Sequence, residues 1–171
     1  MNDLKQYIRE VPDFPKPGIL FYDITTLLKA PKALRMTVDR FVWIFSELHV
    51  DKVVGIESRG FMFAPLLAYN LNAGFVPVRK PGKLPATTVE MAYDLEYGTD
   101  RVQMHRDGVD AGERVLIVDD LIATGGTASA AAKLIEAQGA EVVALGFVIE
   151  LGFLAGRAKL DRYRVESLTR Y

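Results

Sequence analysis

Apolar residues recur along this chain in two alternating rhythms. Short continuous runs over 52–56, 75–78, 115–118, 141–149 and 164–168 suit strands buried on both faces of a parallel sheet. Between them, apolar positions return with a helical period. After Pro31, the residues Leu34, Val38, Phe41, Val42 and Phe45 share one face against Lys32, Arg35, Asp39 and Arg40, which predicts a packing helix. Further helices are expected over 61–71 and 127–138, with a short one over 152–160. Near the start, Leu4, Ile8 and Val11 stand at i, i+4 and i+7, predicting a helix over 2–11 that Pro12, Pro15 and Pro17 stop. From 86 to 105 the period changes to two. Val89, Met91 and Tyr93, then Val102 and Met104, alternate as in two antiparallel strands joined through Glu96-Tyr97-Gly98. The order of strands and helices predicts an α/β fold: a mostly parallel sheet, right-handed connections and flanking helices.

A chain of 171 residues supports one domain with a real core, so 1–171 is read as a single domain without repeats or linkers. The net charge of -1, with both signs plentiful, gives no global field toward nucleic acid or an anionic membrane. Any anion site must therefore be local. The absence of cysteine excludes disulfides and thiolate zinc sites and is compatible with a reducing cytoplasm. The acids in MNDLKQYIREV and the lack of a long apolar run point to a soluble, cytoplasmic protein with no membrane partner. His49 and His105 are isolated, so no histidine cluster argues for a transition metal.

Candidate chemistry concentrates where strands end. In VLIVDDLIATGGTA, covering 115–128, an apolar strand is expected to end at Asp119 and Asp120, in the crevice where open α/β sheets bind ligands. Ala123, Thr124, Gly125, Gly126 and Thr127 then form a small, hydroxyl-bearing turn that opens a helix, a ready anion site. No Gly-Lys-Ser/Thr and no GxGxxG is present, so a monophosphate fits better than a triphosphate or dinucleotide. An ordinary strand-to-helix turn is the plain alternative. Glu57-Ser58-Arg59-Gly60 leaves another strand, and Arg59 there is placed for a diphosphate. Arg79, Lys80 and Lys83 form the dense basic patch RKPGKLP, readable alone as a solvated face. PDFPKPGILFYD forms a proline-rich strap around Phe14 and Phe21, rings that could simply plug the core.

These segments resemble a known family. VLIVDDLIATGGTA is similar to the phosphoribosyl diphosphate signature of the type I phosphoribosyltransferases. PDFPKPGILFYDIT resembles the N-terminal signature of the adenine phosphoribosyltransferases, ESRGFMFAP the diphosphate loop with its strained peptide bond, and YDLEYG the flap motif. The resemblance covers the whole chain. It implies a single-domain type I phosphoribosyltransferase-like fold, with a base-binding strap over 12–28, a flexible antiparallel flap over 80–105 and the phosphate loop over 115–128. The implied reaction transfers ribose 5-phosphate from phosphoribosyl diphosphate to adenine, giving AMP and diphosphate with Mg²⁺ in a homodimer.

By the same resemblance, Asp119 and Asp120 hold the ribose hydroxyls while the Ala123 to Thr127 loop holds the ribose phosphate. Ser58, Arg59, Arg79, Lys80 and Lys83 meet the diphosphate. Phe21 stacks on the purine, main-chain groups of Leu20 and Tyr22 read its edge, and Leu151 lines its pocket. Tyr22 stands where a basic residue is expected. Glu96 approaches the imidazole side of the base, and Tyr97 closes over the reacting groups. Two rivals remain: the same fold acting on hypoxanthine, guanine, xanthine or orotate, and a regulator that senses phosphoribosyl diphosphate. A regulator should carry a DNA-binding module, and about ten residues before the strap are too few for a helix-turn-helix.

Overall fold

The apolar runs become one parallel sheet. In the computed structural model, which describes residues 3–94 and 98–171, the chain enters through a 3₁₀ turn, Leu4–Tyr7, and a hairpin of β1 (Arg9–Pro12) and β2 (Leu20–Asp23). Helices α1 (Thr25–Leu28) and α2 (Pro31–Phe45) lead to β3 (Lys52–Ile56), α3 (Ala64–Asn70) and β4 (Gly74–Val78). A second hairpin, β5 (Thr88–Asp94) and β6 (Thr99–His105), precedes β7 (Arg114–Ile122), α4 (Gly126–Glu136), β8 (Glu141–Glu150) and β9 (Val165–Arg170). Among the described residues the main sheet has five strands in the order β4-β3-β7-β8-β9, every neighbouring pair parallel.

Strand pleating divides the core into two layers. Val53, Leu116 and Val118 face α2 and α3, where Phe41, Phe45, Phe63 and Leu67 are fully buried. Val54, Ile56 and Ile117 face the other way, onto the alanine-rich α4 with its Leu134 and Ile135 and onto Val102 and Met104 of β6. The second hairpin is therefore docked on the sheet by its alternate apolar residues, and its solvent face is polar. Each fully buried large side chain stabilises the fold by roughly 1.5–3 kcal/mol.

Three expectations need correction. The helix expected over 2–11 is a 3₁₀ turn followed by β1, because Arg9 through Pro12 pair with Asp23 through Leu20 and satisfy the backbone across the hairpin. Leu4 and Ile8 are buried as the helical spacing suggested, but Val11 is not. The strand expected to end at Asp119 continues to Ile122. Its neighbour β8 is long enough to pair through Ile122↔Glu150, so the two acids stand inside a strand. The helix expected over 61–71 opens instead as a 3₁₀ turn, Arg59–Met62.

Candidate active site

A cavity of about 440 Å³ opens at the carboxyl ends of β3 and β7, lined by Ser58, Arg59, Lys80, Asp119, Asp120 and the Ala123 to Thr127 turn. The turn owes its shape to Gly125, which sits at φ 75° as the residue before α4. That left-handed conformation is nearly free for glycine and strained for residues with a Cβ. Among the described residues no side chain caps α4, and its first bond runs from Ser129 N to Gly125 O at 2.9 Å. The earlier amides have no partner within the helix and carry its positive dipole end. Gly156, from the segment after β8, supports the turn from behind. A Cβ there would drive into Ala123 O and approach Gly125 N to 2.8 Å.

The paired acids lie across the cavity from this turn. Asp120 is buried, with Arg59 Nε 2.7 Å from its Oδ2. Oδ2 is ion-paired there but accepts no hydrogen bond among the described residues. The Asp120 amide donates to Asp119 Oδ1 at 2.9 Å. Desolvation first, and the charge of Asp120 second, push the Asp119 carboxyl well above its ordinary value. Desolvation also raises Asp120, opposed by Arg59. The pair is thus poised to accept donors or positive charge. Gly60 lets the β3 loop close over β7, since a Cβ there would lie 2.7 Å from Val118 O and 3.0 Å from Asp119 Oδ1. The Glu57–Ser58 peptide bond just before it is cis, at the position where the resemblance implied an unusual bond.

The basic patch divides. Arg79 is held by Glu57 through Nε (3.2 Å) and Nη2 (3.0 Å), and its Nη1 donates to Lys83 O at 3.0 Å. This fork holds the Glu57 carboxyl below its ordinary value. Lys80 reaches the cavity wall, and its Nζ also meets Tyr93 Oη at 2.8 Å and the carboxylate of Asp100. Lys83 is exposed and does not line the cavity. From the strap, the Phe21 ring lies 5.3 Å from the Arg59 guanidinium carbon and 5.1 Å, edge-on, from Phe14. Leu20 is exposed, whereas Tyr22 is buried 4.1 Å from the Tyr171 ring, a burial that raises its hydroxyl pKa. Leu151 is buried in the core layer beneath α2, its amide donating to Ile122 O at 3.0 Å. Glu96 and Tyr97 lie outside the described residues. Sequence reasoning did not single out Glu57 as the Arg79 clamp, Asp100 as the Lys80 partner, or Gly156. Only the acid two residues before Arg59 offered a local signal.

A crevice at strand ends with paired acids and an uncapped helix opening is the ligand-binding arrangement of an open α/β protein. Residues 23–168 match the family model described as the phosphoribosyl transferase domain, and the chain belongs to that family. The particular relatives are adenine phosphoribosyltransferases. That of Solibacter usitatus is 63% identical over 171 residues, 100% of this chain and 99% of its own length. The crystal structure of the adenine phosphoribosyltransferase from Rhodothermus marinus has a TM-score of 0.94 at 53% identity, covering 98% of this chain and 96% of that one. The Saccharomyces cerevisiae enzyme, complexed with D-2,5-dideoxy-2,5-imino-altritol 1,6-bisphosphate and adenine, gives 0.91 at 44% identity over 97% and 96% of the two chains.

Proposed function

We propose that this chain is an adenine phosphoribosyltransferase, transferring ribose 5-phosphate from phosphoribosyl diphosphate to adenine and forming AMP and diphosphate in purine salvage. The observation that carries the reading is the meeting of Asp119, Asp120, Arg59 and the Gly125 turn in one cavity, with Phe21 against the outer side of Arg59. The bond from ribose carbon 1 to diphosphate breaks ahead of attack by a purine nitrogen. Positive charge then builds on the sugar and negative charge on the leaving group. Asp119 and Asp120 accept from the ribose hydroxyls and offset the sugar's charge. Ala123, Thr124, Gly125, Gly126 and Thr127 hold the ribose phosphate through amides and hydroxyls. Ser58, Arg59 and Lys80 meet the diphosphate from the cavity wall, and Arg79 and Lys83 meet it from the loop after β4.

Phe21 stacks on adenine, main-chain groups of Leu20 and Tyr22 read its edge, and Leu151 closes the pocket below. Glu96 handles the purine proton while Tyr97 covers the reacting groups, both from the YDLEYG motif. The flap over 80–105 excludes water from the activated sugar when it closes on the strap over 12–28. Mg²⁺ suits the donor set. The paired acids offer only oxygen, the ligand type this ion prefers. The ion would be held mainly through substrate oxygens and would neutralise part of the diphosphate charge.

We assign 1–171 as a single catalytic domain working in the cytoplasm as a homodimer. Met62, Leu66 and Tyr69, apolar, exposed and at helical spacing, support the dimer. Among the described residues no helix is long and apolar enough to cross a membrane.

The test incubates the protein with phosphoribosyl diphosphate, Mg²⁺ and adenine, hypoxanthine, guanine or xanthine in turn, and separates the products by chromatography. AMP and diphosphate from adenine alone are expected. Product from another base would overturn the reading of Phe21 and its strap, and no product from any base would favour a phosphoribosyl-diphosphate sensor. Glu96→Ala is expected to lower turnover far more than it weakens phosphoribosyl diphosphate binding. Equal turnover in mutant and wild type removes the proposed role.

A further inference from the structure

Lys80 faces two ways. Its amide donates to Glu57 Oε2 at 3.0 Å, which fixes the main chain at the exit of β4 and leaves only the side chain free to swing. That side chain borders the cavity, yet its ammonium group is turned toward the β5–β6 hairpin. There it donates to Tyr93 Oη at 2.8 Å, pairs with the carboxylate of Asp100 and lies 5.4 Å from the centre of the Tyr93 ring. Tyr93 Oη in turn donates to Asp100 Oδ2 at 3.0 Å, closing a triangle.

Tyr93 and Asp100 are cross-strand partners, one pair before the last described pair of the hairpin. One ammonium group therefore ties both strands together. The triangle also reaches the phosphate turn. A Cβ on Gly126 would lie 3.3 Å from Tyr93 Cδ2, so the ring rests on the first residue of α4. The Arg79 guanidinium, by contrast, is held by Glu57 and by Lys83 O, away from the hairpin, while its main chain exchanges two hydrogen bonds with Gln103 of β6, at 2.8 and 2.7 Å. Among the cations of the RKPGKLP patch, Lys80 is the one whose carboxylate partner belongs to the hairpin.

We propose that Asp100 is a positioning residue. It holds Lys80 on the flap side of the cavity until a diphosphate takes the ammonium group over, so that filling the cavity and breaking this side-chain tie near the hairpin tip are one event, while the Arg79–Gln103 main-chain bonds keep the base of the hairpin on the β4 exit. Both members of the pair are partly exposed, at 41% and 32% of their side chains. Such a pair is weak, and a diphosphate carrying several charges displaces the single carboxylate. The carboxylate nonetheless competes, and free enzyme binds diphosphate less tightly than the bare lysine would. The inference rests on the reading of Lys80 as a diphosphate ligand.

Titration calorimetry with Mg²⁺ and inorganic diphosphate tests it on wild type, Asp100→Asn, Lys80→Met and the double variant. Asp100→Asn is expected to tighten binding about three- to fivefold, the upper end of the range for an exposed ion pair. The KM for phosphoribosyl diphosphate should fall by a similar factor while kcat changes less. In the Lys80→Met background the Asp100 substitution is expected to do nothing. Tyr93→Phe keeps the ion pair, and it should tighten binding less than Asp100→Asn. It also provides a second reading should Asp100→Asn fold poorly. Unchanged or weaker binding in Asp100→Asn, or tightening that persists without Lys80, overturns the latch. Wild-type affinity in Lys80→Met removes the premise itself, an outcome distinct from failure of the latch.

Discussion

Asp120 is almost fully buried, at 3% exposure, yet one of its carboxylate oxygens accepts no hydrogen bond among the described residues. The Arg59 guanidinium 2.7 Å away compensates its charge, and the open hydrogen-bond capacity awaits a donor. Asp120→Asn is therefore expected to lower kcat/KM for phosphoribosyl diphosphate about 10- to 100-fold, for a lost charged hydrogen bond of roughly 1.5–3 kcal/mol. The same change should leave the thermal midpoint unchanged or raised, because desolvation already pushes this carboxyl above its ordinary value. Steady-state kinetics and a melting curve on one preparation check both halves. The adjacency of Asp119 and Asp120 was plain in the sequence. The pairing of Asp120 with Arg59 was not, because Arg59 arrives from a loop some sixty residues away.

At the scale of elements, the strap hairpin depends on Asp23. Its Oδ1 accepts from the Thr25 amide at 2.8 Å and its Oδ2 from Arg9 Nε at 3.0 Å, joining β1, β2 and the start of α1. The Thr25 amide first, and Arg9 second, hold this carboxyl down at about 2. A depressed carboxyl contributes stability that is fully present above its ordinary value, near 4, and is lost as pH falls through about 2. Asp23→Asn should melt roughly 2–4 °C below wild type at pH 6, for a loss of about 1 kcal/mol. The gap should close as pH approaches 2, as circular dichroism melts across that range can measure. Here sequence reading was half right. Prolines and aromatic rings marked the strap, but helical spacing in 2–11 concealed a strand. Leu4 and Ile8 are buried equally well by a 3₁₀ turn that leads into a hairpin.

At the scale of the whole molecule, the site and the core are separable. Phe41 and Phe45, ring centres 6.0 Å apart, fill the layer under the sheet, away from the cavity residues. Phe41→Ala is expected to destabilise the protein by about 3–5 kcal/mol in urea unfolding while leaving KM for both substrates unchanged at 25 °C. A shift in KM would mean that packing beneath β8 transmits to the strand ends. The sheet order β4-β3-β7-β8-β9 brings the Ser58-Arg59 loop beside the Asp119-Asp120 pair, since β3 and β7 are direct neighbours.

The sequence by itself determined the α/β alternation, the helix after Pro31, the period-two hairpin and the composition of the phosphate turn. These depend on nearest-neighbour spacing, on residue types with fixed backbone preferences and on local charge. Tertiary structure alone decided how far β7 runs, because the length of a strand is set by the partner that hydrogen-bonds it. It also decided which cations face the cavity. The Arg79 guanidinium is engaged by Glu57 at the edge of the site, and Lys80 is shared with Asp100 across the hairpin, contacts between segments whose spacing along the chain carries no signal.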